Sequence, residues 1–115
     1  MITIENNKQS FVALWRELER TRQRFNDECY RFCPRRILRD WFGEEATDDF
    51  IWDVCFNTVI DEEQVYGYDL LPPPEEFTVT REFLRAVVAT KLGIGMRKVD
   101  LRALDAAYGQ VFHPP

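Results

Sequence analysis

Cys29 and Cys33 stand four residues apart, a spacing that would put two thiols on one helical face. With Cys55 and His113 they could make a three-cysteine, one-histidine zinc site. Their surroundings argue for packing instead. Structural zinc sites usually draw two ligands from a tight C-x-x-C knuckle, whereas these cysteines fall among Phe25, Phe32 and Phe56. The expectation is three reduced thiols in apolar settings, no disulfide framework and no metal.

Asp49 and Asp53 are the carboxylate pair best spaced for general acid-base work, again four apart on one helical face, but such pairs are common solvated features. His113, the only histidine, lies two residues from the C-terminus beside Pro114 and Pro115, a poor place to hold a base rigid. The acidic run DEEQVYG at 61–67 misses the calcium-loop pattern, whose glycine sits at position six. A glycine-rich phosphate loop, a nucleophile elbow and a paired-histidine metal helix are all missing. The expectation is therefore a protein that is not an enzyme and uses no cofactor.

Charge is the more informative feature. Residues 1–39 hold nine Lys or Arg against five Asp or Glu, and residues 81–115 hold six against three. Between them, residues 40–80 hold twelve acids and no Lys or Arg. Arg16, Arg20 and Arg24 recur every four residues and would stack along one ridge of a helix, repelling one another by about 0.2–0.5 kcal/mol per pair. Either the acidic block folds back onto that ridge, or one of the two faces a charged partner. Under the second reading the acidic surface comprises Glu44, Glu45, Asp48 and Asp49 at the start of a helix, with Asp61, Glu62 and Glu63 at its far end. The first group sits at the positive end of the helix dipole and is stabilised there; the second is opposed by the negative end.

The elements that must position these residues are mostly helical. Ile2 to Glu5 read as a short strand or an extended arm, and Asn6 or Asn7 can cap a first helix. Phe11, Trp15, Leu18, Phe25, Cys29 and Phe32 keep one stripe inward along that helix until Pro34 forbids its continuation. Pro34 opens a second helix through Ile37, Leu38, Trp41 and Phe42, closed by Gly43. Thr47 caps a third, from about 48 to 62, in which Phe50, Ile51, Trp52, Val54, Cys55, Phe56, Val59 and Ile60 wrap nearly all round the cylinder. A helix so apolar is usually the central one.

Residues 67–76 form a proline-rich internal loop. Thr80 is the expected cap of a fourth helix, interrupted by Gly93 and Gly95, and a last helix through Leu101, Leu104 and Tyr108 ends at Gly109, leaving 110–115 as a loose tail. The segment Val88-Ala89-Thr90-Lys91-Leu92-Gly93-Ile94-Gly95-Met96-Arg97-Lys98-Val99 places a small residue before a turn, a glycine four later and a branched residue six beyond that. In this it resembles the core of helix-turn-helix DNA-binding domains. The resemblance implies a following helix in the major groove, with Arg97, Lys98 and Arg102 on phosphates or bases. A plain helical hairpin turning on two glycines is the preferred reading.

Length, hydrophobic content and patterning together predict one all-α domain over residues 1–115, with four to five helices around the 48–62 helix. No run approaches the ~20 apolar residues of a membrane span, and the first residues lack the features of a signal peptide, so a cytoplasmic location is expected. The expected function is that of an inhibitor or adaptor whose acidic surface engages a basic site on a protein, one version of which imitates nucleic acid. The helix-turn-helix regulator is the alternative, and homodimerisation stays open.

Overall fold

A computed structural model describes residues 2–26, 34–61 and 76–114. Among them five α-helices run in chain order: α1 (Lys8–Asn26), α2 (Pro34–Phe42), α3 (Asp48–Asp61), α4 (Glu76–Leu92) and α5 (Leu101–Phe112). None of the described residues forms a strand; Ile2 to Glu5 lead into α1 without regular secondary structure, anchored by the buried Ile4. The fold class is all-α. Cys29, Cys33, Glu62, Glu63 and most of the proline-rich stretch lie outside the described residues.

Several helix boundaries follow from single side chains. The Asn7 carboxamide oxygen accepts the Ser10 N–H at 2.9 Å and so caps α1. Gly43 adopts φ 57°, the left-handed conformation that lets the chain leave α2 directly into a 3-10 turn at Gly43–Glu45. Thr47 Oγ1 then accepts the Phe50 N–H at 3.2 Å, opening α3. At the end of α4, Gly93 (φ 67°) makes the paired closure in which Ile94 N–H bonds Ala89 C=O and Gly93 N–H bonds Thr90 C=O. Asp100 caps α5 through Ala103 N–H at 3.0 Å.

Two boundaries differ from expectation. Thr80 is not a cap: α4 begins at Glu76, which leaves Thr80 buried inside the helix. Nor does the last helix stop at Gly109. It runs on to Phe112 because Val111 and Phe112 continue the apolar stripe of Leu104 and Tyr108 onto the core, where Phe112 meets Trp15 edge-on at 6.0 Å. The loose tail shrinks accordingly.

One core joins these helices. α1 packs chiefly along α5, where Trp15 stacks edge-on with Tyr108 at 4.9 Å and donates its indole N–H to Leu104 C=O at 3.0 Å. α3 packs chiefly along α4. Trp41 of α2 ties the two pairs together, donating to the buried Thr21 Oγ1 of α1 at 2.9 Å and lying 6.0 Å from Phe83 of α4. The Asn6 side chain clamps the α4–α5 connection by donating to Lys98 C=O and accepting from Asp100 N–H.

The central helix is α4, not α3. Phe83, Leu84, Ala86, Val87, Val88 and Ala89 of α4 are all buried, whereas α3 has one buried side, formed by Ile51, Val54 and Thr58, and one side turned to solvent.

Candidate functional site

The solvent side of α3 is where the molecule shows chemistry it does not use internally. Successive helical residues are rotated by about 100°, so Asp49, Trp52, Asp53 and Phe56 share an arc of roughly 100° opposite the buried side. All four are exposed. Trp52 leaves 68% of its surface open and Phe56 51%, the largest apolar side chains so placed among the described residues. Their rings stack on each other, centroids 6.3 Å apart and planes 21° from parallel. The arrangement is a two-ring platform with a carboxylate within one turn of each ring.

The acids of the expected surface fall into two groups. Asp48 accepts from Arg35 at 2.9 Å and Arg39 at 3.2 Å, both from α2, and Glu45 pairs with Lys91 at 2.6 Å. That lysine also sits 4.9 Å above the Phe42 ring. These pairs are solvent-exposed and each contributes at most about 1 kcal/mol, but they neutralise Asp48 and Glu45 within the fold. Glu44, Asp49 and Asp53 are exposed and have no ion-pair partner among the described residues. Asp61 ends α3, while Glu62 and Glu63 lie outside the described residues.

The arginine ridge of α1 plays little part in this neutralisation. Arg20 pairs with Glu17 of its own helix and lies 3.7 Å from Asp40, Arg16 is exposed, and the Arg24 side chain is outside the described set. Among the described residues the cations paired with Asp48 and Glu45 are Arg35, Arg39 and Lys91.

The expected zinc and carboxylate chemistry can be located only in part. Cys55 is half-buried on α3, and His113 follows α5 with its ring 5.8 Å from Tyr108. Among the described residues no three His, Cys, Asp or Glu side chains gather as metal ligands. Asp49 and Asp53 do share a face, with Trp52 and Phe56 along one side of the pair. Glu82 is the carboxylate in an unusual setting: 2% exposed, it faces Arg81 at 3.2 Å and Arg85 at 3.6 Å. Arg85 also donates to Met96 C=O at 3.0 Å, so this cluster braces the α4–α5 connection.

That connection departs from a helix-turn-helix. Eight residues, 93–100, separate α4 from α5 and include a 3-10 turn at Met96–Lys98, where that motif uses a turn of about 3–4 residues. Arg97 and Lys98 fall on the 3-10 turn and Arg102 in the first turn of α5; all three are exposed without an ion-pair partner among the described residues.

Sequence reasoning missed Trp52 and Phe56 as surface residues, having counted them toward an all-round apolar helix. The signal was present in the charges: Asp48, Asp49 and Asp53 bracket both aromatics on the helical wheel, and carboxylates so placed face water. What fold and site define is an all-α protein with an aromatic and acidic helix face turned outward. No protein-family model, curated protein or solved structure matches the chain. Among the described residues no helix is long and apolar enough to cross a membrane.

Proposed function

We propose that this chain is a non-catalytic protein-binding module whose α3 face engages a basic site on a partner. The observation that carries this reading is the exposure of Trp52 and Phe56 beside Asp49 and Asp53. Burying a large apolar side chain at an interface contributes about 1.5–3 kcal/mol, and aromatic residues dominate such contacts. The two carboxylates add charge selectivity, drawing a cationic partner and repelling an anionic one. Glu44, just before the helix, extends the same negative surface, whereas Glu45 and Asp48 hold α3 against Lys91 and the α2 arginines.

The test is affinity capture from source cells with nuclease present, using the native protein and the Asp49→Asn, Asp53→Asn double variant. Each captured protein is then purified and titrated. Binding that weakens steeply from low to physiological salt, and again in the double variant, is the expected result. Binding indifferent to both would sink the proposal. DNA retained without nuclease and lost on neutralising Arg97, Lys98 or Arg102 would favour the helix-turn-helix alternative, which the exposure of those three residues keeps testable.

A further inference from the structure

We infer that the α3 face receives an arginine, carried on a segment of the partner protein, whose guanidinium stacks on the open face of the Trp52 ring, which Phe56 backs, while Asp49 and Asp53 accept its N–H groups. This rests on the docking reading above and names the anchor that reading requires. An exposed ring face backed by a second, nearly parallel ring is an apolar plane, and the group that uses such a plane together with a carboxylate is a planar, weakly hydrated cation. Lysine's ammonium meets only half of that description, since it holds its water tightly and binds as a point charge. Guanidinium carries donors in its edge and a π-face above and below, so stacking on a ring leaves its N–H groups directed at neighbouring acids.

The spacing supplies those acids. Asp49 and Asp53 lie three before and one after Trp52, and Asp53 lies three before Phe56, so each ring has a carboxylate within one turn. Neither acid has an ion-pair partner among the described residues, in contrast to Asp48, which already holds two arginines. The pairing of Asp48 with Arg35 and Arg39 is a nearby instance of the contact proposed. A second copy of the chain is a poor occupant, because a two-fold contact through this face would set Asp49 and Asp53 against the same residues of the other copy. An anionic ligand would meet the same repulsion.

The experiment is selection of short random peptides on the immobilised native protein, with counter-selection on the Trp52→Ala, Phe56→Ala double variant, whose folding is checked by circular dichroism. Enriched peptides are resynthesised with arginine, lysine or neutral citrulline at the selected basic position, and their affinities are measured for the native protein and for Asp53→Asn. The expected result is enrichment of arginine over lysine, with about tenfold weaker binding for the lysine peptide and more for citrulline. Asp53→Asn should weaken the arginine peptide and shrink its advantage over citrulline. Lysine peptides binding as well as arginine ones would overturn the inference and leave a basic partner standing. Enrichment of uncharged or acidic peptides, or of none, would overturn both. Concentration-dependent sedimentation of the native protein, abolished by Trp52→Ala, would give the face to a second copy and overturn the arginine assignment.

Discussion

α3 and α4 lie side by side, yet each does what the other's composition suggests. α3 is built from aromatic and β-branched residues and exposes two rings; α4 carries Arg81, Glu82, Arg85 and Lys91 and forms the centre of the core. Even the carboxylate of Glu82 is buried on α4, while the indole of Trp52 on α3 is in water. The number of apolar residues in a helix therefore says little about where it sits. What decides is how the charges are distributed around the cylinder and whether each can be answered by a partner. On α4, Glu82 is flanked by Arg81 one residue before it and Arg85 three after it, so the charges meet each other and the stripe from Phe83 to Ala89 can be enclosed. On α3, Asp49 and Asp53 have no ion-pair partner among the described residues, and with Asp48 on the other flank they keep the aromatics at the surface.

The largest expected effect breaks the α4 side of this comparison. Phe83→Ala removes a fully enclosed ring that touches Trp41, and should cost about 3–5 kcal/mol of unfolding free energy, read as a lower midpoint in urea with unchanged slope. A cost below about 1 kcal/mol would mean that α4 is not the centre of the core.

Much of this architecture is written in residues with one physical option each. Asn7, Pro34, Gly43, Thr47 and Gly93 mark helix ends because a side-chain acceptor, a fixed φ or a left-handed backbone is needed there, and those requirements are local. What was not legible depends on neighbours distant in sequence. Thr80 resembles a cap by type but lies inside α4, and Gly109 resembles a stop but is carried through by Val111 and Phe112 packing on the core. The outward turn of Trp52 and Phe56 depends on which side α4 covers, and only the flanking acids record that choice locally. Of the acids expected at the surface, Glu44, Glu45, Asp48 and Asp49 are exposed. Two of those four prove to be committed to Lys91, Arg35 and Arg39, through tertiary contacts that no spacing rule reveals.

A second prediction sharpens the role of paired charge. Arg85→Ala removes a cation facing the buried Glu82 carboxylate and the donor to Met96 C=O, leaving a carboxylate in a dry site with weaker compensation. Breaking such a pair from one side should cost about 3 kcal/mol. The Arg85→Met, Glu82→Leu double change should recover much of that loss, since apolar replacement of a buried ion pair is often neutral or better. If the double variant is no more stable than Arg85→Ala, the cluster acts through Met96 and the connection to α5, and the contrast in charge pairing between α3 and α4 loses its basis.

The smallest expected effect is the most telling for the α3 side. Trp52 is the larger residue, and in a buried position its truncation would rank with that of Phe83. Because most of its surface is already in water, Trp52→Ala should change stability by less than about 0.5 kcal/mol, the range of ordinary surface substitutions. Losing the stacked contact with Phe56 works against stability, while alanine's higher helix propensity, worth a few tenths of a kcal/mol, works for it. The two nearly cancel, so the melting temperature should hold within a few degrees. A loss approaching that of Phe83→Ala would show that another part of the chain covers the ring in solution, and that the helix is central after all. An unchanged fold that no longer binds its basic partner would place the ring among the residues that act outward, where its cost in exposed apolar surface is offset only when the partner is bound.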